Sequence, residues 1–149
     1  MDALVQEVAE RLQPTADRKN VTLKTETEAL RLFGVRQVLS EMAYNLCDNA
    51  IRYNRPNGEV RMSLKRENDK VIFEVADTGI GIAREEQERI FERFYRVDTS
   101  RSAEKGGTGL GLSIVKHGTA LHGGKVTLKS VLGEGTTMRI CIPLEQNET

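Results

Sequence analysis

The stretch from Val35 to Ile51 constrains this chain more than any other. Val38, Leu39, Met42, Ala43, Leu46, Cys47, Ala50 and Ile51 recur at the 3.6-residue period of an amphipathic helix, and the pattern stops at the turn residues between Asn54 and Gly58. A helix with one apolar stripe must bury it, and the next segments supply the surface. Val60, Met62 and Leu64 alternate with charged residues, and Val71, Phe73 and Val75 do the same beyond Glu67-Asn68-Asp69. Period two with one apolar face predicts a hairpin packed under the helix. Leu4, Val5, Val8, Ala9 and Leu12 predict a first helix over residues 2–13, stopped by Pro14. Val21, Leu23 and Thr25 predict a strand, and Leu30, Leu32 and Phe33 a further short one. Residues 84–91 suit a short helix and 109–121 a longer one; strands at 125–131 and 135–142 meet at Gly133-Glu134-Gly135. The class is α+β: a two-layer sandwich with helices on one face of a mixed, mostly antiparallel sheet.

At 149 residues the chain suits one domain, 1–149, with a real core. Lys and Arg number 22 against 22 Asp and Glu, so net charge gives no reason to expect a nucleic-acid or membrane-surface partner. No apolar run approaches the ~20 residues that span a bilayer, and the N-terminus lacks a signal-peptide profile. Cys47 and Cys141 fall in segments patterned as buried, without metal-ligand spacing, and read as reduced core residues rather than a disulfide.

Three polar constellations interrupt this pattern. On the long helix, Glu41, Asn45, Asp48, Asn49 and Arg52 lie opposite the apolar stripe, with Asn45 and Asn49 one turn apart. A solvated face accounts for polar residues here, but asparagine is a poor helix former. An amide oxygen also suits a magnesium ion that takes its other ligands from water and phosphate. In the second hairpin strand, Asp77 occupies the phase of Val71, Phe73 and Val75, where another core side chain belongs. Either the strand ends early and Asp77 caps a turn, or the carboxylate lines a pocket. Gly79 and Gly81, which permit close backbone approach, favour the pocket. Thr136 is likewise in phase with Met138, Ile140 and Ile142. The third constellation is Gly107-Thr108-Gly109-Leu110-Gly111-Leu112 before a helix. It has neither Walker A spacing nor the dinucleotide-binding fingerprint, since Leu112 replaces the last glycine. Free N–H groups at such a helix start can meet phosphate.

In order and spacing, Asn45-Leu46-Cys47-Asp48-Asn49, Asp77-Thr78-Gly79-Ile80-Gly81, Phe91-Glu92-Arg93-Phe94-Tyr95-Arg96 and the 107–112 run resemble the N, G1, F and G2 boxes of sensor histidine kinases, members of the GHKL ATPases with the Bergerat ATP-binding fold. The resemblance covers most of the chain and implies ATP and Mg²⁺ as cofactors. It implies metal and phosphate roles for Asn45 and Asn49, without deciding which makes the direct bond. It further implies a phosphate contact at Arg52, an aromatic border to the base at Tyr53, and the adenine amino group on Asp77. Gly79, Gly81 and Ile82 would line the base, Thr136 would support Asp77, and Gly107, Thr108, Gly109, Leu110, Gly111 and Leu112 would cradle phosphate. Residues 97–107 correspond to the ATP lid, anchored by Phe91 and Phe94, with Arg93 and Arg96 near phosphate. A carboxylate accepts from the adenine amino group, whereas guanine offers a carbonyl at that place.

The resemblance also implies partners: a histidine-bearing dimerisation domain, a response regulator downstream, and a cytoplasmic location as the cytosolic part of a membrane-anchored parent, without direct contact to membrane or nucleic acid. No segment matches that domain's acceptor-histidine motif. His117 and His122 read as ordinary helix and surface residues. Two other readings stay open. A gyrase-like ATPase needs a Glu where Asn45 stands, leaving Glu41 as the substitute base. An ATP-binding interaction module, including the anti-sigma-type serine kinases, would bind nucleotide without histidine transfer.

Overall fold

The computed structural model describes residues 1–32, 34–87, 89–90 and 111–144. Helix α1 (Asp2–Lys19) leads to β1 (Thr22–Thr27), α2 (Arg36–Arg52), the hairpin β2 (Glu59–Glu67) and β3 (Lys70–Asp77), then α3 (Gly111–Leu121), β4 (Lys125–Val131) and β5 (Gly135–Pro143). The strands form one sheet in the order β1-β2-β3-β5-β4. β1 runs parallel to β2, with α2 as the crossover between them, and every other pairing is antiparallel.

Alternation decides which face is covered. Val60, Met62 and Leu64 of β2, Val71, Phe73 and Val75 of β3, and Met138, Ile140 and Ile142 of β5 are buried on one side, while Arg61, Lys65 and Arg139 point to water on the other. The helices lie on the apolar side: α2 contacts β2 and β3, α3 contacts β4 and β5, and α1 contacts β1 and α2. The stripe of α2 from Leu39 to Ile51 lies in the centre of this core. Each such fully buried aliphatic side chain contributes about 1.5–3 kcal/mol. Gly118 lets α3 approach closely, since a Cβ there would stand 2.5 Å from the Met42 sulfur. Cys47 has no exposed surface, and burial pushes its thiol up to about 12.

Three expectations are corrected. Helix α1 passes through Pro14 to Lys19 instead of ending at 13. Pro14 and Glu10 are exposed, so the carbonyl that loses its N–H partner faces water. Buried Ala16 continues the apolar stripe, and Asn20 in the left-handed conformation (φ 59°) closes the helix. Residues 28–32 form no strand. The Leu30 carbonyl accepts from the Met1 amine at 2.9 Å and its N–H donates to Asp2 Oδ1 at 3.1 Å, so its backbone groups serve the start of α1 rather than a neighbouring strand. Within 84–90, the regular element is a 3₁₀ turn, Arg84–Glu86. Phe33, Phe91, Arg93, Phe94, Arg96, the 97–107 stretch and Gly107 to Leu110 lie outside the described residues.

Candidate functional site

Asp77 closes β3 in the middle of the sheet, half-buried, in register with Thr136 of β5. Its Oδ1 accepts two backbone N–H bonds, from Gly79 at 2.8 Å and Thr136 at 3.2 Å. These fix the carboxylate plane and leave Oδ2 without a partner among the described residues. Burial holds the Asp77 carboxyl above its ordinary value, and the two N–H bonds oppose that shift. A charged group in that environment is stabilised by any ligand that donates to its free oxygen.

Three chain segments build the surroundings. After α2, Tyr53 gives its carbonyl to the Ile80 N–H at 3.1 Å. Gly79 sits so close that a Cβ would lie 2.6 Å from that same carbonyl. Gly81, at φ +75°, packs on the β4–β5 turn, where a Cβ would stand 2.2 Å from the Val131 carbonyl. Ile82 donates its N–H to Ser130 Oγ at 2.7 Å. Ser130 spends its own proton on the Gly135 carbonyl at 3.0 Å, so the Thr136 hydroxyl, 2.8 Å away, is the donor between the two side chains. Thr136 thus supports Asp77 through its N–H, while its hydroxyl braces Ser130.

On α2, Asn45, Asn49 and Arg52 are half-buried along one helix face. Asn45 Nδ2 donates to the Glu41 carbonyl at 2.7 Å, and its Oδ1 has no partner among the described residues. Arg52 is held by Asp48, Nε to Oδ2 at 2.8 Å, one turn earlier on the helix. Tyr53 caps α2 and is half-buried. Leu112, in the first turn of α3, packs against the core. The structure therefore brings Asp77, Gly79, Gly81, Ile82 and Thr136 into one cluster and ties the end of α2 to it through Tyr53. Among the described residues no cluster of three His, Cys, Asp or Glu could hold a metal.

Sequence reasoning missed several members of this framework. Ser130 was an ordinary strand residue by pattern. Buried Asn54 accepts the Arg55 N–H at 2.8 Å and donates to the Glu59 carbonyl at 3.1 Å, shaping the turn beside the site. His122 is not a surface residue. It is buried, accepts the Val35 N–H on Nε2 at 3.0 Å and so donates from Nδ1 to the Gly118 carbonyl at 2.8 Å. It is a neutral brace between α3 and the start of α2. His117 is exposed, as expected.

The chain that carries this cluster matches known proteins in sequence and in fold. The family model for histidine kinase-, DNA gyrase B- and HSP90-like ATPases covers residues 34–146. The chain belongs to this ATPase family. Over 145 residues it is 42% identical to the sensor-like histidine kinase SenX3 of Mycolicibacterium smegmatis, an alignment that takes in 96% of this chain and 38% of SenX3. Among solved structures, the mycobacterial sensor histidine kinase MprB superposes with a TM-score of 0.84 at 26% identity, covering 96% of this chain and 93% of that one. Histidine kinase ThkA, solved in complex with the response regulator TrrA, gives 0.81 at 26% identity, over 100% of this chain and 42% of ThkA. The fold is that of histidine-kinase catalytic domains, and the chain is an ATP-binding catalytic domain of the sensor histidine kinase type. It spans little more than a third of the SenX3 relative it matches. No helix among the described residues is long and apolar enough to cross a membrane.

Proposed function

We propose that residues 1–149 form one domain that binds ATP with its adenine amino group on Asp77 Oδ2, and that it donates the γ-phosphate to a histidine carried by a separate dimerisation domain. The observation that carries this reading is the half-pinned carboxylate: one oxygen is held by two backbone N–H groups and the other has no partner among the described residues. Transfer breaks the bond between the γ-phosphorus and the ADP oxygen and forms one to an imidazole nitrogen, whose proton leaves. Such chemistry asks the protein for position and charge neutralisation rather than covalent help.

Gly79, Gly81, Ile82 and Tyr53 border the base, and Thr136 keeps Asp77 in place. Arg52, held by Asp48, is assigned to the phosphates, and the family resemblance assigns Arg96 and the 107–112 run to them as well and 97–107 to the ATP lid. Asn45 and Asn49 fit a magnesium ion: both are half-buried, and neither amide oxygen has a partner among the described residues. Two neutral oxygens form no all-protein cage, so they suit an ion that brings water and phosphate as its remaining ligands. Bound there, it would offset phosphate charge. A response regulator receives the phosphoryl group downstream. The domain works on the cytosolic side of a membrane-anchored parent, a reading supported by ATP as substrate and by the free thiols of Cys47 and Cys141, which suit a reducing compartment.

Calorimetric titration of the chain with Mg-ATP and Mg-GTP tests the reading. Saturable binding of ATP alone is expected, and equal binding of both nucleotides would sink the assignment of Asp77. Adding a dimerisation domain that carries the acceptor histidine should then yield acid-labile phosphohistidine.

A further inference from the structure

The Asp77 loop is not held by β3 alone. Arg55, in the exposed turn after α2, reaches across it, and one guanidinium nitrogen, Nη2, donates to the Gly79 carbonyl at 2.8 Å and to the Gly133 carbonyl at 2.7 Å. Gly79 is the residue whose N–H fixes Asp77 Oδ1, and the Gly133 N–H donates to the Ile80 carbonyl at 2.7 Å. The β4–β5 turn that contains Gly133 leads directly to Thr136, the second donor to Asp77. One cation therefore joins three separate segments: the turn at 54–58, the loop at 77–82 and the turn at 131–135. The Arg55 backbone is itself set by Asn54, whose side chain is 4% exposed, and Gly58 is confined beside it, since a Cβ there would stand 2.1 Å from Asn54 Oδ1.

We propose that Arg55 is a positioning residue for base recognition: by drawing the Gly79 and Gly133 carbonyls onto one nitrogen it keeps both N–H donors on Asp77 Oδ1, and so keeps Oδ2 aimed at the 6-amino group of adenine. Charge-assisted hydrogen bonds to carbonyls are stronger than neutral ones, and a preorganised acceptor avoids ordering on binding. Arg55 makes no contact with the ligand in this account, which rests on the proposed adenine role of Asp77. Loss of the clamp leaves the fold intact, because Arg55 and Gly133 are exposed and removing the Arg55 side chain opens a path for water to the carbonyl of buried Gly79. What it removes is the aim of Asp77, and with it the advantage of a base that carries the amino group.

The experiment compares wild type, Arg55→Met and Arg55→Lys for binding of ATP and of purine riboside triphosphate, which lacks the 6-amino group, by displacement of a fluorescent nucleotide. Arg55→Met should weaken ATP about 10-fold, roughly 1.4 kcal/mol, and leave the purine analogue within about twofold, so that the preference for ATP shrinks by the same factor. Arg55→Lys should recover most of that preference, because both bonds come from one nitrogen and an ammonium can make two. Equal losses for the two nucleotides, or no loss for ATP, would overturn the inference. If wild type binds ATP but shows no preference over the purine analogue, the adenine role of Asp77 falls first and the inference with it. Arg55→Gln gives a second uncharged variant should Arg55→Met unfold.

Discussion

Replacing Asp77 with asparagine tests the site at its most specific atom. Asn keeps the size of Asp and one acceptor oxygen, and the two backbone donors at Gly79 and Thr136 claim that oxygen as they claim Oδ1 in the wild type. The amide nitrogen is then forced into the place of Oδ2. An acceptor corner becomes a donor corner, and the adenine amino group meets another donor. A hydrogen bond to a charged group is worth about 1.5–3 kcal/mol and each donor left unpaired costs about 1–3 more, so a loss of roughly 3–5 kcal/mol is expected. That is about a hundred- to several-thousand-fold in Kd for ATP. The same donor complements the guanine carbonyl, so the ratio of GTP to ATP affinity should rise. Calorimetry with both nucleotides reads this, beside thermal unfolding of the nucleotide-free proteins. The free Asp77→Asn domain should melt at or above wild type at neutral pH, because the substitution removes a carboxylate whose charged form burial disfavours. ATP binding within about threefold of wild type in a well-folded variant would refute the reasoning, since structural damage could not then be blamed and the donor–donor clash would be absent.

Acidification should act on the same group with a defined sign. Because the folded Asp77 carboxyl lies above its unfolded value of 3.8, its contribution to folding is fully present below that value and is lost as pH rises through the folded pKa. ATP affinity should run the other way and fall with decreasing pH before an ordinary carboxylate would titrate; Kd measured against pH for wild type and Asp77→Asn should show a step only in the former. Asn49→Ala should weaken Mg-ATP more than metal-free ADP, read by titration with and without chelator, and equal losses would argue against a metal role. Gly81→Ala combines a left-handed φ with a backbone clash at Val131 and should cost about 2–4 kcal/mol in urea unfolding. Gly133→Ala, at φ +87° but with open space around the Cβ, should cost only about 1–2 kcal/mol, so equal effects would show that the contact with the β4–β5 turn is unimportant.

What the sequence made legible was whatever follows a period. The α2 stripe, the β2–β3 hairpin and the β4–β5 pair could be read because burial repeats every 3.6 or two residues. Asp77 and Thr136 could be read because they break that repeat at a core phase, and the structure pairs them directly across β3 and β5. Arg55, Ser130 and His122 were illegible for a common reason. Each has a partner that is a backbone group far along the chain: Arg55 reaches the Gly133 carbonyl, 78 residues away, Ser130 the Ile82 N–H, 48 away, and His122 the Val35 N–H, 87 away. No local pattern records such a meeting. Pro14 misled because propensity is a local tendency, and the burial of Ala16 with the cap at Asn20 outweighed it. The piece at Leu30 and Leu32 misled because apolar residues there pack on the core without entering the sheet.

The strand order has a consequence for when the nucleotide site can exist. β5, made after β4, inserts between β3 and β4, so the central strand that carries Asp77 stays an open edge until its partner has been synthesised. Before then Asp77 lacks the Thr136 N–H, Ile82 lacks its hydrogen-bonded Ser130–Thr136 support, and the β3 ladder is exposed to the wrong neighbours. Pairing across so long a sequence separation is slow compared with closing the β2–β3 hairpin. A nascent chain thus remains blind to ATP until β5 docks, and nucleotide, by binding only the sheet with β5 in place, favours that docking over its reversal.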